Sequence, residues 1–276
     1  MYDNRALIER AILAAVGAGA KIMEIYNSEI EVSIKEDQSP LTQADMKANA
    51  FINEMLSLTN IPIISEENKQ IDYEVRSQWP SCWIVDPLDG TKEFIKHNGE
   101  FTVNIALVEN GIPKLGIIYV PDEKALYVGH VDHNYAFKAE QVTDADSIHQ
   151  IVDKSSVIKP KTNPGKNLQV VGSRSHMNDD TRMFIDMLTD QGNEIEIVSR
   201  GSSLKFCLIA EGKADVYPRF APTMEWDTAA GQAICNAVGV EVINRETNKA
   251  LSYNKENLLN PHFMVARAEL KTQLLP

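Results

Sequence analysis

Trp83-Ile84-Val85-Asp86-Pro87-Leu88-Asp89-Gly90-Thr91-Lys92-Glu93-Phe94-Ile95 reads as a buried strand running into a turn and then a short helix. Cys82 to Val85 is apolar and β-prone. Pro87 has no N–H to give a ladder and is expected to stop the strand at Asp86. Asp89-Gly90 makes a turn, and Thr91 opens the helix. Two readings of the acids stand side by side. As turn chemistry, Asp-Pro and Asp-Gly need no further role. As a site, two carboxylates on one turn would bind a hard cation such as Mg²⁺, and the free N–H groups of Gly90 and Thr91 could meet a phosphate oxygen.

Upstream of this segment, the apolar period through Ile12, Val16, Gly19, Met23 and Tyr26 predicts an amphipathic helix from about residue 3 to 26. Ala18-Gly19-Ala20 looks like a leader cleavage site, but Asp3 and Glu9 break the basic region a leader needs. A half-buried strand over 30–34, a helix from Thr42 to about Leu58 and a strand over 61–64 follow. The polar stretch 66–78 reads as a loop. Downstream, strands are expected at 101–108, 115–120 and 126–131. The polar run 140–167, with Pro160 and Pro164-Gly165, marks a subdomain boundary near residue 155 within one catalytic unit spanning 1–276. Beyond it, strands at 168–171, 194–198, 214–217 and 240–243 alternate with helices at 179–188, 202–210 and 227–238. That alternation predicts an α/β fold of stacked helix and sheet layers.

The 276 residues carry 27 Lys+Arg against 39 Asp+Glu, a net charge of −12, with 43% hydrophobic residues. Disorder is excluded by the apolar content, and the acidic balance argues against a nucleic-acid footprint. No apolar run reaches the ~18–20 residues of a membrane helix. Three cysteines without metal spacing point to a reduced, cytoplasmic setting. Walker, Rossmann, HExxH and GxSxG patterns are all missing.

Two other acidic clusters stand out. Glu225-Trp226-Asp227 precedes a helical pattern, where Asp227 alone reads as an N-cap. Ser65-Glu66-Glu67 alone reads as a solvated loop. Asp45, three residues after Thr42, alone reads as half of a capping box.

Taken together, Ser65-Glu66-Glu67, Asp86-Pro87-Leu88-Asp89-Gly90-Thr91 and Trp226-Asp227-x-Ala229-Ala230-Gly231 resemble the lithium-sensitive, Mg²⁺-dependent phosphatases of the inositol monophosphatase superfamily. The likeness runs from the first helix to about Phe263. Within that superfamily the chain looks most like the 3′(2′),5′-bisphosphate nucleotidases, through Ser173-Arg-Ser-His176, Ser202-Ser-Leu-Lys205, Glu211 to Phe220 and Leu259-Asn-Pro261. One departure lies over 130–167, where the glycine-rich hairpin common in the family is missing and the connection looks longer.

The resemblance implies an inositol-monophosphatase fold of αβαβα layers. It implies metal ligands at Glu66, Asp86, the Leu88 carbonyl, Asp89 and Asp227, holding two or three Mg²⁺ per site. Thr91 and Asp45 match the pair that orients and deprotonates the attacking water, in a two-metal in-line displacement. The substrate would also meet Glu66, Leu88, Asp89, Gly90, Thr91 and Asp227.

Inositol monophosphatases usually carry an acid where Arg219 stands and no lysine matching Lys205. Two cations there suit a second phosphate; snorkelling of Lys205 or a surface ion pair at Arg219 are the plainer readings. Ser202 could add a donor and His176 a contact to sugar or base. The expected substrate is a small molecule, adenosine 3′,5′-bisphosphate, converted to AMP in connection with sulfate assimilation. Inositol phosphates or sugar bisphosphates are the alternative substrates, and a regulatory binding protein is the alternative class. Some relatives are described as peripheral at the bacterial inner membrane, although no basic amphipathic segment here supports it.

Overall fold

The computed structural model describes residues 4–28, 32–34, 40–162, 165–172, 177–267 and 270. Helix α1 (Asn4–Tyr26) and helix α2 (Gln43–Ser57) flank a short antiparallel pair, β1 (Val32–Ile34) and β2 (Pro40–Thr42). Ala11, Ala14, Ala15 and Ala18 of α1 are fully buried. Their small size lets α2 lie close, with Ala44 and Ala48 facing them in the same core.

The next strands form a seven-stranded sheet in chain order: β3 (Ile63–Ser65), β4 (Ser81–Asp89), β5 (Thr102–Glu109), β6 (Ile112–Val120), β7 (Ala125–His130), β8 (Tyr135–Ala139) and β9 (Ser155–Val157). Only β3 and β4 are parallel; every later neighbour is antiparallel. Short helices α3 (Tyr73–Arg76), α4 (Thr91–Ile95) and α5 (Ile148–Asp153) connect these strands. A second sheet of five strands follows, from β10 (Asn167–Val171), β11 (Glu194–Val198), β12 (Val216–Arg219), β13 (Val240–Asn244) and β14 (Phe263–Arg267), ordered β11-β10-β12-β14-β13. Helices α6 (Asp179–Asp190), α7 (Leu204–Ala210) and α8 (Ala229–Ala237) complete the chain.

The burial of β4 explains why its sequence is apolar without alternation. Trp83 and Val85 pack toward α1 and α2, whereas Cys82 and Ile84 pack toward α7 and α8. A strand covered on both faces must be apolar on both. Helices α7 and α8 are themselves sandwiched, because Tyr217, Phe263 and Val265 of the second sheet join the same core. On the far face, α6 packs Phe184 and Leu188 against Leu168, Val170, Val216 and Met264. The layers run α, β, α, β, α, as the family resemblance implies. Helix α8 comes very close to the first sheet. A side chain on Gly116 would stand 2.2 Å from the Ala230 carbonyl, and one on Gly129 would stand 2.5 Å from Ile234 Cα.

The structure departs from the sequence pattern in several places. Strand β4 does not stop at Asp86. It continues through Pro87 to Asp89, with a register shift between Asp86 and Asp89, a bulge where proline's missing donor costs nothing. Stretch 66–78 contains α3, and 140–167 contains α5 and β9. Helix α7 starts at Leu204 rather than Ser202, because Ser202 sits at φ +40°. Helix α8 begins at Ala229, after a 3₁₀ turn over Glu225–Asp227. Strands β2, β8 and β14 have no counterpart among the strands expected from the sequence. No helix among the described residues is long and apolar enough to cross a membrane.

Candidate active site

The alternation that buries Cys82 and Ile84 toward α7 and α8 sends Asp86 to the same side of the sheet. There the carboxylates of Asp86, Asp89 and Asp227 offer oxygens that all lie within 4.8 Å of one another. The bulge turns Asp89 back toward Asp86, and the Leu88 N–H donates to Asp86 Oδ1 at 3.0 Å. Asp227 enters from the helical layer between the sheets, at the end of the 3₁₀ turn ahead of α8, where its Oδ2 accepts the Met224 N–H at 2.8 Å. It therefore braces its own turn and does not cap α8. Glu66 follows β3, its N–H bonded to the Val85 carbonyl at 3.2 Å.

No Lys or Arg forms an ion pair with Asp86, Asp89 or Asp227 among the described residues. Burial first, then the charges of Glu66, Asp89 and Asp227, push the Asp86 carboxyl well above the usual carboxylate range. Burial and the Asp89 charge push Asp227 up to about 7. A buried, all-oxygen, anionic donor set of this kind fits a hard divalent cation and is poorly satisfied without one.

Beside the cluster, Thr91 is the first residue of α4, preceded by Gly90 at φ +92°, which a side chain would strain. Thr91 Oγ1 lies 3.3 Å from Asp45 Oδ1 and 3.3 Å from the Leu88 carbonyl. Asp45 is buried at the start of α2, and its Oδ2 completes a capping box with Thr42. One side chain of Asp45 thus serves the capping box through Oδ2 and stands beside Thr91 through Oδ1.

Two cations face the same space. Lys205 Nζ reaches the Ser202 carbonyl at 2.9 Å and stands 5.8 Å above the Tyr217 ring. Burial lowers its pKa to about 8, with Asp89 pulling the other way and Arg219 adding to the fall. Arg219 ends β12 and donates to the Pro222 carbonyl at 3.1 Å; no carboxylate pairs with it among the described residues. Arg219 Nε and Ser202 Oγ are buried without partners. A side chain on Gly90 would come 3.3 Å from Ser202 Cβ, so Ser202 adjoins the start of α4. His176 lies outside the described residues.

Sequence reasoning missed Ser203 and Asn104. Ser203 Oγ is 2.8 Å from Asp89 Oδ2, and Asn104 Nδ2 reaches both Ser203 Oγ at 2.9 Å and Asp89 Oδ2 at 3.2 Å. The signal was present in Thr102-Val103-Asn104-Ile105-Ala106-Leu107, an apolar run interrupted by an amide on the inward face.

Residues 3–275 match the inositol monophosphatase family. A 3′(2′),5′-bisphosphate nucleotidase CysQ of Salmonella typhimurium is 43% identical over 264 residues, covering 94% of this chain and 99% of the relative. The CysQ of Escherichia coli strain K12 is 41% identical over 265 residues, 94% of this chain and 99% of its own length. The crystal structure of CysQ from Bacteroides thetaiotaomicron, 48% identical, superposes with a TM-score of 0.85 over 96% of this chain and 98% of that one. The chain belongs to the inositol monophosphatase family.

Proposed function

We propose that this protein is a 3′(2′),5′-bisphosphate nucleotidase that hydrolyses adenosine 3′,5′-bisphosphate to AMP and phosphate, removing a by-product of sulfate assimilation. The observation that carries the choice of substrate is the pairing of Lys205 and Arg219 beside the carboxylate cluster. Among the described residues neither forms an ion pair with an acid, and the buried Arg219 Nε and Ser202 Oγ have unmet hydrogen-bonding capacity. A monophosphate leaves such a pair without a counter-charge, whereas a bisphosphate supplies one at each end of the site. The CysQ relatives named above are called nucleotidases, which supports the same reading.

Glu66, Asp86, the Leu88 carbonyl, Asp89 and Asp227 would hold two or three Mg²⁺. Bound there, the cations supply activation of water and charge stabilisation of the departing ribose oxygen. The chain's own residues do the rest. Thr91 Oγ1 takes up a proton from the attacking water as it passes its own proton to Asp45 Oδ1. The N–H groups of Gly90 and Thr91 hold the reacting phosphoryl oxygens, and Ser202 Oγ adds a donor for the other phosphate. Lys205 and Arg219 grip the phosphate that stays.

Phosphate release from adenosine 3′,5′-bisphosphate, inositol 1-phosphate and fructose 1,6-bisphosphate, each with and without Mg²⁺, tests the proposal. The expected result is Mg²⁺-dependent turnover with the highest kcat/KM on the nucleotide. A preference for inositol 1-phosphate would overturn it.

A further inference from the structure

Ser203 is the residue preceding α7, a place where serine ordinarily caps a helix. It makes no such side-chain bond. Its hydroxyl is turned instead into the space between the sheets, 2.8 Å from Asp89 Oδ2 and 2.9 Å from the Asp227 carbonyl, and accepts from Asn104 Nδ2 at 2.9 Å. Asn104 is oriented in turn by Thr102, whose hydroxyl donates to Asn104 Oδ1 at 3.0 Å. That bond leaves the Asn104 amide hydrogens facing Ser203 and Asp89. Ser203, Asn104 and Thr102 are 2%, 1% and 0% exposed.

Each donor in this row points toward the carboxylate: Thr102 to Asn104, Asn104 to Ser203 and Asp89, Ser203 to Asp89. The Ser203 hydroxyl has one proton and two acceptors within reach. The charged carboxylate is the stronger acceptor, so the proton goes to Asp89. Buried polar groups in an otherwise apolar strand are costly unless paired. Here their pairing ends on one of the three clustered acids. We infer that Ser203 and Asn104 are positioning residues for Asp89: two donors on Oδ2 fix the rotation of that carboxylate. The inference rests on the proposed role of Asp89 in holding a divalent cation.

The test is Mn²⁺ binding to the metal-stripped full-length protein, without substrate, by titration calorimetry, beside kcat and KM at saturating Mg²⁺. Outer-shell partners of metal ligands are worth about 10- to 100-fold in affinity. Ser203→Ala is expected to weaken Mn²⁺ binding by about that factor, with KM for the nucleotide nearly unchanged once metal is saturating. Ser203→Thr, which keeps the hydroxyl, should bind within about threefold of the parent. Asn104→Ser, which shortens the amide away from Asp89, should also weaken binding and decides the matter if Ser203→Ala does not fold. Parental affinity in Ser203→Ala or, failing that variant, in Asn104→Ser, or a folded Ser203→Thr as weak as Ser203→Ala, would overturn the inference. Asp89→Asn on the same instrument separates the levels: if it too binds as the parent does, the metal reading itself falls.

Discussion

Thr91 donates to Asp45 across 46 positions of chain, and does so to a carboxylate whose other oxygen is already committed: Asp45 Oδ1 faces Thr91 Oγ1 at 3.3 Å, while Oδ2 takes the Thr42 N–H at 2.7 Å and hydroxyl at 2.6 Å. The capping bonds hold Asp45 in place, and in the proposed reaction the Thr91 hydroxyl works against its Oδ1. Thr91→Ala should therefore lower kcat by roughly 10²- to 10⁴-fold, the usual worth of positioned acid–base groups, with little change in KM. Asp45→Asn should act similarly, and the double variant should cost far less than the product of the singles. Thr42→Ala is the control. It should cost about 1 kcal/mol in melting experiments and leave kcat largely intact.

The three clustered acids repel one another when no cation lies among them. Asp86→Asn removes the most buried of these charges while keeping an acceptor for the Leu88 N–H. The metal-free variant should melt at a higher temperature than the metal-free parent, and the rise that Mg²⁺ gives the parent should shrink sharply. Thermal melts with EDTA and with excess Mg²⁺ read both effects.

In the proposed reaction Lys205 and Arg219 supply affinity away from the reacting bond. Charge-assisted contacts are worth roughly 1.5–3 kcal/mol, so losing one should cost about 10- to 150-fold in kcat/KM on adenosine 3′,5′-bisphosphate. Arg219→Glu should cost more than Arg219→Ala, since it adds repulsion to the loss of a donor. On inositol 1-phosphate either change should cost far less, so the ratio of the two substrates is the measurement to follow.

Burial brings the Lys205 pKa down to about 8. Its cation is complete below that pH and is lost as pH rises through it. Parental kcat/KM for the bisphosphate should accordingly fall above about pH 8, because that ratio reports the free enzyme. Lys205→Arg should carry the plateau to higher pH, and the monophosphate should show no such limb.

Glu225 is a buried carboxylate that accepts the Asn254 and Lys255 N–H groups and pairs with the Lys255 ammonium. Lys255→Met removes the cation and leaves the buried charge behind. A loss of about 3–5 kcal/mol is expected in denaturant unfolding, and Glu225→Gln combined with Lys255→Met should recover part of it.

The sequence carried most of this architecture wherever burial had a clean period. β11 and the buried faces of α1 and α2 were legible because apolar spacing in each reports one covered face. β9 was not, since Ser155, Ser156 and Val157 are half-exposed or exposed at the sheet's edge; nor was β8, a five-residue strand whose buried positions, Ala136, Phe137 and Ala139, do not alternate. Pro87 misled for a related reason: local chemistry announced a strand end, while pairing with β5 carried the strand past the proline through a bulge. Within the site, the acids were visible because charge is conspicuous in apolar surroundings. Ser203 was hidden in a Ser-Ser pair where the first serine drew attention. Only the fold shows that the second one turns toward Asp89.

The glycines beneath α8 have a consequence for how the molecule comes apart. Gly116 and Gly129 admit the helix so closely to the first sheet that its opposite side is free to anchor the second, and Asp227 sits just ahead of the segment clasped by both. Neither half retains a covered inner surface once the other leaves. A calorimeter should accordingly record a single cooperative transition in place of two, and expressing residues 1–160 or 161–276 alone should give aggregation-prone chains that never reach a folded baseline.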